Sequence, residues 1–297
     1  MAGSLPFFFV DVFADAPLTG NPLAVVVNDE GVDVDLMRAI AREFNQSETT
    51  FVQASSREGV AWRLRSFTPA GVEVGGAGHN ALGAWWWLAS AGRLSLSNGA
   101  NRFLQEIGGE VLPVEVTVED GRPQAIAMEQ EPARWGDVVG DRDELAASLG
   151  LPASELGDDA PMQVVSTGAP HLLVQARTRG AVDCAIPDVP RLREVLRTVE
   201  GEGCYLYSLD PIDPGSTAYA RFFNPTAGIS EDPATGTAAG PLASHLVAHG
   251  LSVDGSKIVI EQGHRIGRPS RIEIGILNER VTISAVCVIV GEGTLHH

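Results

Sequence analysis

Three side chains in this sequence are placed where a proton could be moved: Glu48, His79 and Asp232. Glu48 sits between Ser47 and Thr49, just ahead of Phe51, where a helical pattern gives way to a β-branched one. A carboxylate at such an apolar edge loses hydration, which raises its pKa and suits it to act as a general base. Taken alone, an exposed loop glutamate is the simpler account of it. His79 stands at the start of an apolar helical stretch, where a capping or packing role is the simpler account. Asp232 precedes Pro233 and serves equally well as a turn former.

Two longer stretches carry these residues. Phe67 to Gly92 and Phe222 to Gly250 share one layout: an aromatic run, a proline, a loop with glycines, a polar side chain, then a small-residue helix that is almost wholly apolar. Glycines at a helix start leave backbone N–H groups open, and the helix dipole adds positive potential there. Gly76, Gly78 and Asn80 would present such groups at one junction, and Thr235, Gly236 and Thr237 at the other. Together they could grip a small carboxylate. Thr235 or Thr237 acting only as an N-cap is the alternative. Gly76-Ala-Gly78-His-Asn-Ala81 formally matches a dinucleotide fingerprint. The strand that should precede it is too short, and the acidic residue expected about 20 positions on is missing between Arg93 and Gln105, so no nucleotide cofactor is expected.

Composition narrows the partners. The chain has 297 residues, 38 acidic against 21 basic, for a net charge of −17. A field of that sign repels phosphate backbones and anionic membrane surfaces, so neither nucleic acid nor a membrane is an expected partner. Cys184, Cys204 and Cys287 are widely spaced and form no disulfide framework or zinc knuckle. They read as small buried hydrophobes in a reducing cytoplasm. The N-terminal stretch lacks a basic n-region and does not read as a signal peptide. No apolar run approaches the ~20 residues of a membrane span.

Phe7–Phe13 and Pro22–Val27 read as a hairpin around a Pro/Gly turn, and Val32–Phe44 as an amphipathic helix. Strands are expected from Ser47, over Ala61–Phe67, and at Phe103–Ile107, Leu112–Val118 and Gln124–Met128. The stretch Ala81–Ala91, apolar on every side with Trp85, Trp86 and Trp87, must be a buried helix. Glu131–Gly140 is polar and is the expected crossover. Beyond it come helices at Asp141–Leu149 and Val189–Val199, and strands at Gln163–Val165, His171–Val174, Cys204–Leu209 and Ala218–Phe223. A second apolar helix, Gly236–His249, follows, then β-like runs at Lys257–Glu261, Arg271–Ile276 and Arg280–Ile289. Many short strands with few helices argue for an α+β fold rather than regular βαβ alternation. The halves are expected to divide as 1–130 and 131–297, with the last strand able to return to the first half.

In order along the chain stand Asp11-Val-Phe with Gly20-Asn-Pro-Leu-Ala-Val, Ser47-Glu-Thr-Thr-Phe, Phe67-Thr-Pro, and Ala77-Gly-His with Leu82-Gly. Glu231-Asp-Pro-Ala-Thr-Gly-Thr-Ala with Gly240-Pro-Leu follows, then Gln262-Gly with Gly267-Arg-Pro-Ser. In these the chain resembles the phenazine-biosynthesis PhzF-like family, whose fold is that of diaminopimelate epimerase. The resemblance implies two pseudo-symmetric domains, each a curled mixed sheet around a central apolar helix, with the active site in the cleft between them. It also implies a homodimer and no cofactor, and no metal-ligating set is visible in the residues. Glu48 matches the family's acid/base glutamate, His79 its cleft histidine, Asp232 its cleft aspartate, and Thr237 its helix-start hydroxyl, commonly a Ser. Asn80 stands where Pro is usual, and Gly75-Gly76 replace more apolar residues. These changes line the implied pocket and bear on the substrate rather than the fold.

Epimerases of this fold use two thiols, at positions matching about Gly75 and Pro233 here, so a two-thiol racemisation is excluded by residue type. The implied activity is a cofactor-independent isomerisation of a small conjugated carboxylate. In the phenazine enzyme a glutamate takes a proton from one carbon of a cyclic dienoic acid and returns it to another on the same face. A carboxylate-based epimerase or racemase, and a non-catalytic small-molecule binding protein on the same scaffold, are the alternatives.

Overall fold

The fold is built on two apolar helices, each carried inside a mixed sheet. The computed structural model describes residues 3–29 and 31–297, and the chain divides into two units. One comprises the described residues up to Glu129 together with Ser284–His297, and the other Gln130–Ile283.

In the first unit the amphipathic stretch becomes helix α1, Val34–Phe44. Asp33 caps it by accepting from the Leu36 N–H, and the chain leaves through Asn45 in the left-handed region. The small-residue stretch becomes helix α2, His79–Ser90, with Leu82, Trp85 and Leu88 fully buried. A helix without a polar face must be enclosed. Cys287–His296 pairs antiparallel with Ser4–Val12, which pairs antiparallel with Asn21–Val27. That strand runs parallel to Glu48–Ala54, which is antiparallel to Trp62–Phe67. Gly99–Ile107 then lies parallel to Trp62–Phe67, and Glu110–Glu119 and Arg122–Glu129 follow antiparallel. Helix α2 contacts strands from both ends of this series, so the sheet curls around it. Helix α1 covers the other face, where Met37, Ile40 and Ala41 pack with Phe51 and Phe67.

The second unit repeats the scheme. Helices α3 (Arg142–Ser148), α4 (Arg179–Cys184) and α5 (Val189–Thr198) contribute to its main buried cluster. Helix α6, Gly236–Ala248, is buried over most of its length. Arg134–Val138, Gln163–Ser166, Pro170–Gln175, Gly203–Ser208, Ala218–Asn224, Lys257–Gln262 and Ser270–Leu277 are joined in that order. The pairings run antiparallel, antiparallel, parallel, antiparallel, parallel, antiparallel, the same succession as in the first unit. The α+β architecture with internal pseudo-symmetry is therefore present at the level of hydrogen-bond pairing.

Both inner helices need glycine at their fifth residue. A Cβ on Gly83 would lie 2.7 Å from side-chain atoms of Leu23 and Val12, and one on Gly240 would collide with the Gln130 amide.

Three local expectations are corrected. The polar stretch 131–140 holds the strand Arg134–Val138, exposed throughout, which forms because Gln163–Ser166 offers it a ladder. The run expected over Arg280–Ile289 breaks at Val286, whose carbonyl accepts from the Ala14 N–H instead of the ladder. Cys184 is exposed rather than buried, while Cys204 and Cys287 are buried. Among the described residues no helix is long and apolar enough to cross a membrane.

Candidate active site

Glu48 is the first residue of its strand, in register with Leu23 on the parallel neighbour. Side chains alternate between the faces of a strand. Glu48 therefore shares a face with Thr50, whose hydroxyl pairs with Ser66 at 2.8 Å. This is the face that looks onto α2, since the Asn80 amide also donates to Ser66 Oγ at 3.1 Å. His79 opens α2, and its Nδ1 lies 4.0 Å from Glu48 Oε2, with both side chains largely sheltered. Burial lowers the His79 pKa to about 4, because an imidazolium there would lack hydration. The imidazole is thus neutral near neutral pH, and the contact is not a salt bridge. The Nε2 of His79 is buried and has no hydrogen-bond partner among the described residues.

The anion grip expected at this junction is narrower than the sequence suggested. The Gly78 N–H already donates to Asn80 Oδ1 at 2.7 Å, and Asn80 Nδ2 donates to Gly76 O at 3.0 Å. Asn80 is buried, and its amide ties the loop to the helix start. Among the described residues the backbone N–H groups of His79 and Asn80 at the head of α2 have no hydrogen-bond acceptor.

In the second unit Asp232 ends the strand Ile229–Asp232, and its Oδ2 accepts a short hydrogen bond from Thr235 Oγ1. Thr235 is the N-cap of α6 by position, but its hydroxyl serves Asp232 and makes no cap bond. Gln262 fixes this loop. Its Nε2 donates to Asp232 O at 2.7 Å and to Thr235 Oγ1 at 3.1 Å. Its Oε1 accepts from Tyr205 OH at 2.8 Å and from the Thr235 N–H at 3.2 Å. Burial first, and the Asp232 charge second, push the Tyr205 pKa up, so its hydroxyl stays a donor. Thr237 Oγ1 lies 3.2 Å from His171 Nε2, and burial lowers the His171 pKa to about 3. Among the described residues the Gly236 and Thr237 N–H groups at this helix start have no hydrogen-bond acceptor.

The structure thus brings Glu48 to His79, Asp232 to Thr235, and Thr237 to His171. His171, Gln262 and Tyr205 were not singled out from sequence. One signal for His171 existed: Gly168-Ala-Pro-His171 stands in the second half as Gly20-Asn-Pro-Leu23 does in the first. Burial raises the Cys204 pKa to about 12 and pushes the Cys287 thiol up as well. Neither is a thiolate near neutral pH. Among the described residues no group of three or more His, Cys, Asp or Glu side chains is arranged to hold a metal ion.

The sequence matches the phenazine biosynthesis-like protein family over residues 10–294. It is 32% identical over 296 residues to an uncharacterised isomerase of Clostridium acetobutylicum, covering 96% of each chain. It is 34% identical over 270 residues to the trans-2,3-dihydro-3-hydroxyanthranilate isomerase of Pseudomonas aeruginosa, covering 90% of this chain and 88% of that one. The crystal structure of a PhzF-family phenazine biosynthesis protein from Bacillus anthracis superposes with a TM-score of 0.89 at 26% identity, covering 99% of both chains.

Proposed function

The chain belongs to the phenazine biosynthesis-like family and is an isomerase of that family, and from that premise we propose that it shifts a proton on a small conjugated carboxylate with Glu48 as the single acid/base. The observation that carries this reading is the Glu48 carboxylate set 4.0 Å from an imidazole that burial keeps neutral. Such a pair divides the work. The carboxylate accepts a proton from a C–H bond whose electrons delocalise into the conjugated acid, and the resulting carboxylic acid returns that proton to another carbon. The neutral imidazole neither neutralises the base nor competes for its proton, and it can hydrogen-bond a polar substituent. Base placement and charge stabilisation are then most of the catalysis, since the conjugated system itself holds the carbanion charge.

Asp232, held by Thr235 and Gln262, is assigned to positioning a polar substituent of the substrate. The open N–H groups of His79 and Asn80, and those of Gly236 and Thr237, are assigned to its carboxylate. Gly76, Gly78 and Thr235 support these groups through the backbone. The reaction as written needs no cofactor. The homodimer implied by the resemblance and the cytoplasmic location read from the cysteines belong to the same proposal, and light scattering on the purified chain tests the first.

The test uses the compound that the Pseudomonas aeruginosa relative is named for. Incubated in deuterated water with the wild-type protein, it should isomerise, and it should exchange a carbon-bound hydrogen to the extent that the Glu48 proton trades with solvent between the two transfers. Glu48→Gln should lower both by about 10²–10⁴-fold, the usual contribution of a positioned general base. Undiminished exchange in that variant would sink the assignment. Inversion at a stereocentre, seen by chiral chromatography, would convert the reading to an epimerase.

A further inference from the structure

The first unit holds a second concavity that the proposed reaction does not use. Its volume is ≈ 230 Å³, and Arg63, Arg65, Glu73, Glu106 and the Gly108–Gly109 turn line it. It opens on the sheet face opposite Glu48. Arg63 and Arg65 alternate in step with Phe67, which packs on the α1 side with Phe51. Glu48 alternates in step with Thr50, which faces α2. The two positions are therefore separated by the sheet itself.

The four charged groups balance in sign but not in commitment. Arg65 and Glu73 satisfy one another fork to fork, at 2.7 and 2.8 Å, and this pairing lowers the Glu73 pKa. Glu106 and Arg63 are not closed in this way. Glu106 is 7% exposed, and one of its oxygens accepts from Ser55 Oγ at 3.1 Å. Among the described residues its Oε1 is paired with the Nε atoms of Arg57 and Arg63, each at 3.6 Å, which is beyond hydrogen-bond reach. The Arg63 guanidinium makes no hydrogen bond to any described residue. A carboxylate oxygen without a hydrogen-bond donor and a guanidinium that makes no hydrogen bond, ion-paired with each other at 3.6 Å, thus face one small space. The floor beside them is bare backbone, because both turn glycines have positive φ and a side chain on Gly108 would collide with Gly75.

We propose that this cavity is a second ligand site, built for a free α-amino acid whose ammonium donates to Glu106 Oε1 and whose carboxylate takes the Arg63 fork. Charge-assisted bonds of this kind are the strong ones, and the guanidinium–carboxylate pair is directional. A simple anion would leave Glu106 Oε1 without a hydrogen-bond donor, and a simple cation would leave the Arg63 fork without an acceptor. The volume, below the roughly 300–1,000 Å³ of drug-sized sites, selects a compact ligand. The inference is independent of the proposed isomerisation.

The test is calorimetric titration and thermal shift of the whole chain with each standard L-amino acid at millimolar concentration. At least one should bind and raise the unfolding temperature, as any native-state ligand does. Its N-acetyl derivative and its methyl ester should both fail, since each removes one of the two charges. Arg63→Ala, at a half-exposed position, should weaken binding at least about tenfold, or ~1.4 kcal/mol, in a variant that circular dichroism shows to be folded. Glu106→Gln should do the same, with circular dichroism reporting that the variant is folded. No binding to the wild type by any of these amino acids overturns the proposal. So does binding that survives Arg63→Ala, inorganic phosphate binding equally well, or binding abolished by Glu48→Gln but kept in Arg63→Ala.

Discussion

Gln262 shows how much of the candidate site depends on a side chain that does no chemistry. Both donors and both acceptor positions of its amide are in use, on Tyr205, Thr235 and Asp232. Gln262→Leu keeps the volume but leaves those groups unsatisfied in a fully buried place. Each orphaned group costs about 1–3 kcal/mol, so urea unfolding should show a loss of at least ~2 kcal/mol, with Tyr205→Phe costing less. An unchanged unfolding midpoint in Gln262→Leu would show that the network is decorative. This layer was hard to read from sequence for a physical reason: the partners lie 27, 30 and 57 residues from Gln262, and His171 is 66 from Thr237. A buried glutamine or histidine has no local pattern, because its hydrogen bonds are made across the sheet. Glu48, His79 and Asp232 were legible only as a set inside recognisable motifs. Read singly, each had an ordinary explanation, and only geometry shows that Glu48 and His79 are neighbours.

At the scale of elements, the two inner helices were legible because an all-round apolar segment has one available fate. Their glycines make a sharper statement. Alanine is the better helix former by about 1 kcal/mol, yet Gly83→Ala would press a methyl group into Leu23 and Val12, and Gly240→Ala would press one into Gln130. Overpacking of this kind costs typically ~1–3 kcal/mol, so both substitutions should destabilise the protein in denaturant melts despite the gain in propensity. A stabilised Gly83→Ala would mean that the sheet yields around α2 more readily than close packing allows. The elements that sequence reading missed are those without a hydrophobic signature. Arg134–Val138 is exposed along its whole length, so only its pairing makes it a strand. Helix α4 has six residues, too few for helical periodicity to declare itself, although Thr178 caps it by accepting from the Ala181 N–H.

For the whole molecule, buried neutral histidines set the acid limit. His79 and His245 are lowered to about 4 and His171 to about 3, each chiefly by burial, against an ordinary value near 6.5 in the unfolded chain. Below about pH 6.5 the unfolded state binds protons that the folded state refuses, so stability falls with pH. Each histidine contributes up to ~1.4 kcal/mol per pH unit. The loss levels off below about pH 4 for His79 and His245, and below about pH 3 for His171. Urea midpoints measured at pH 7, 6 and 5 should decline steadily, and a flat profile would contradict the burial of these rings. The strand pairing Ser4–Val12 with Cys287–His296 carries a further consequence, for the order in which the protein is made. The second unit is one uninterrupted stretch, whereas the first is completed only by the strand Cys287–His296. Until that strand is made Ser4–Val12, already paired on one side with Asn21–Val27, presents an open edge with Phe7, Phe8 and Phe9 along it. Such an edge is a template for another chain. The vulnerable interval in this protein's life is therefore the time a ribosome takes to read residues 130–296, and slow translation there should favour aggregation of the newborn chain.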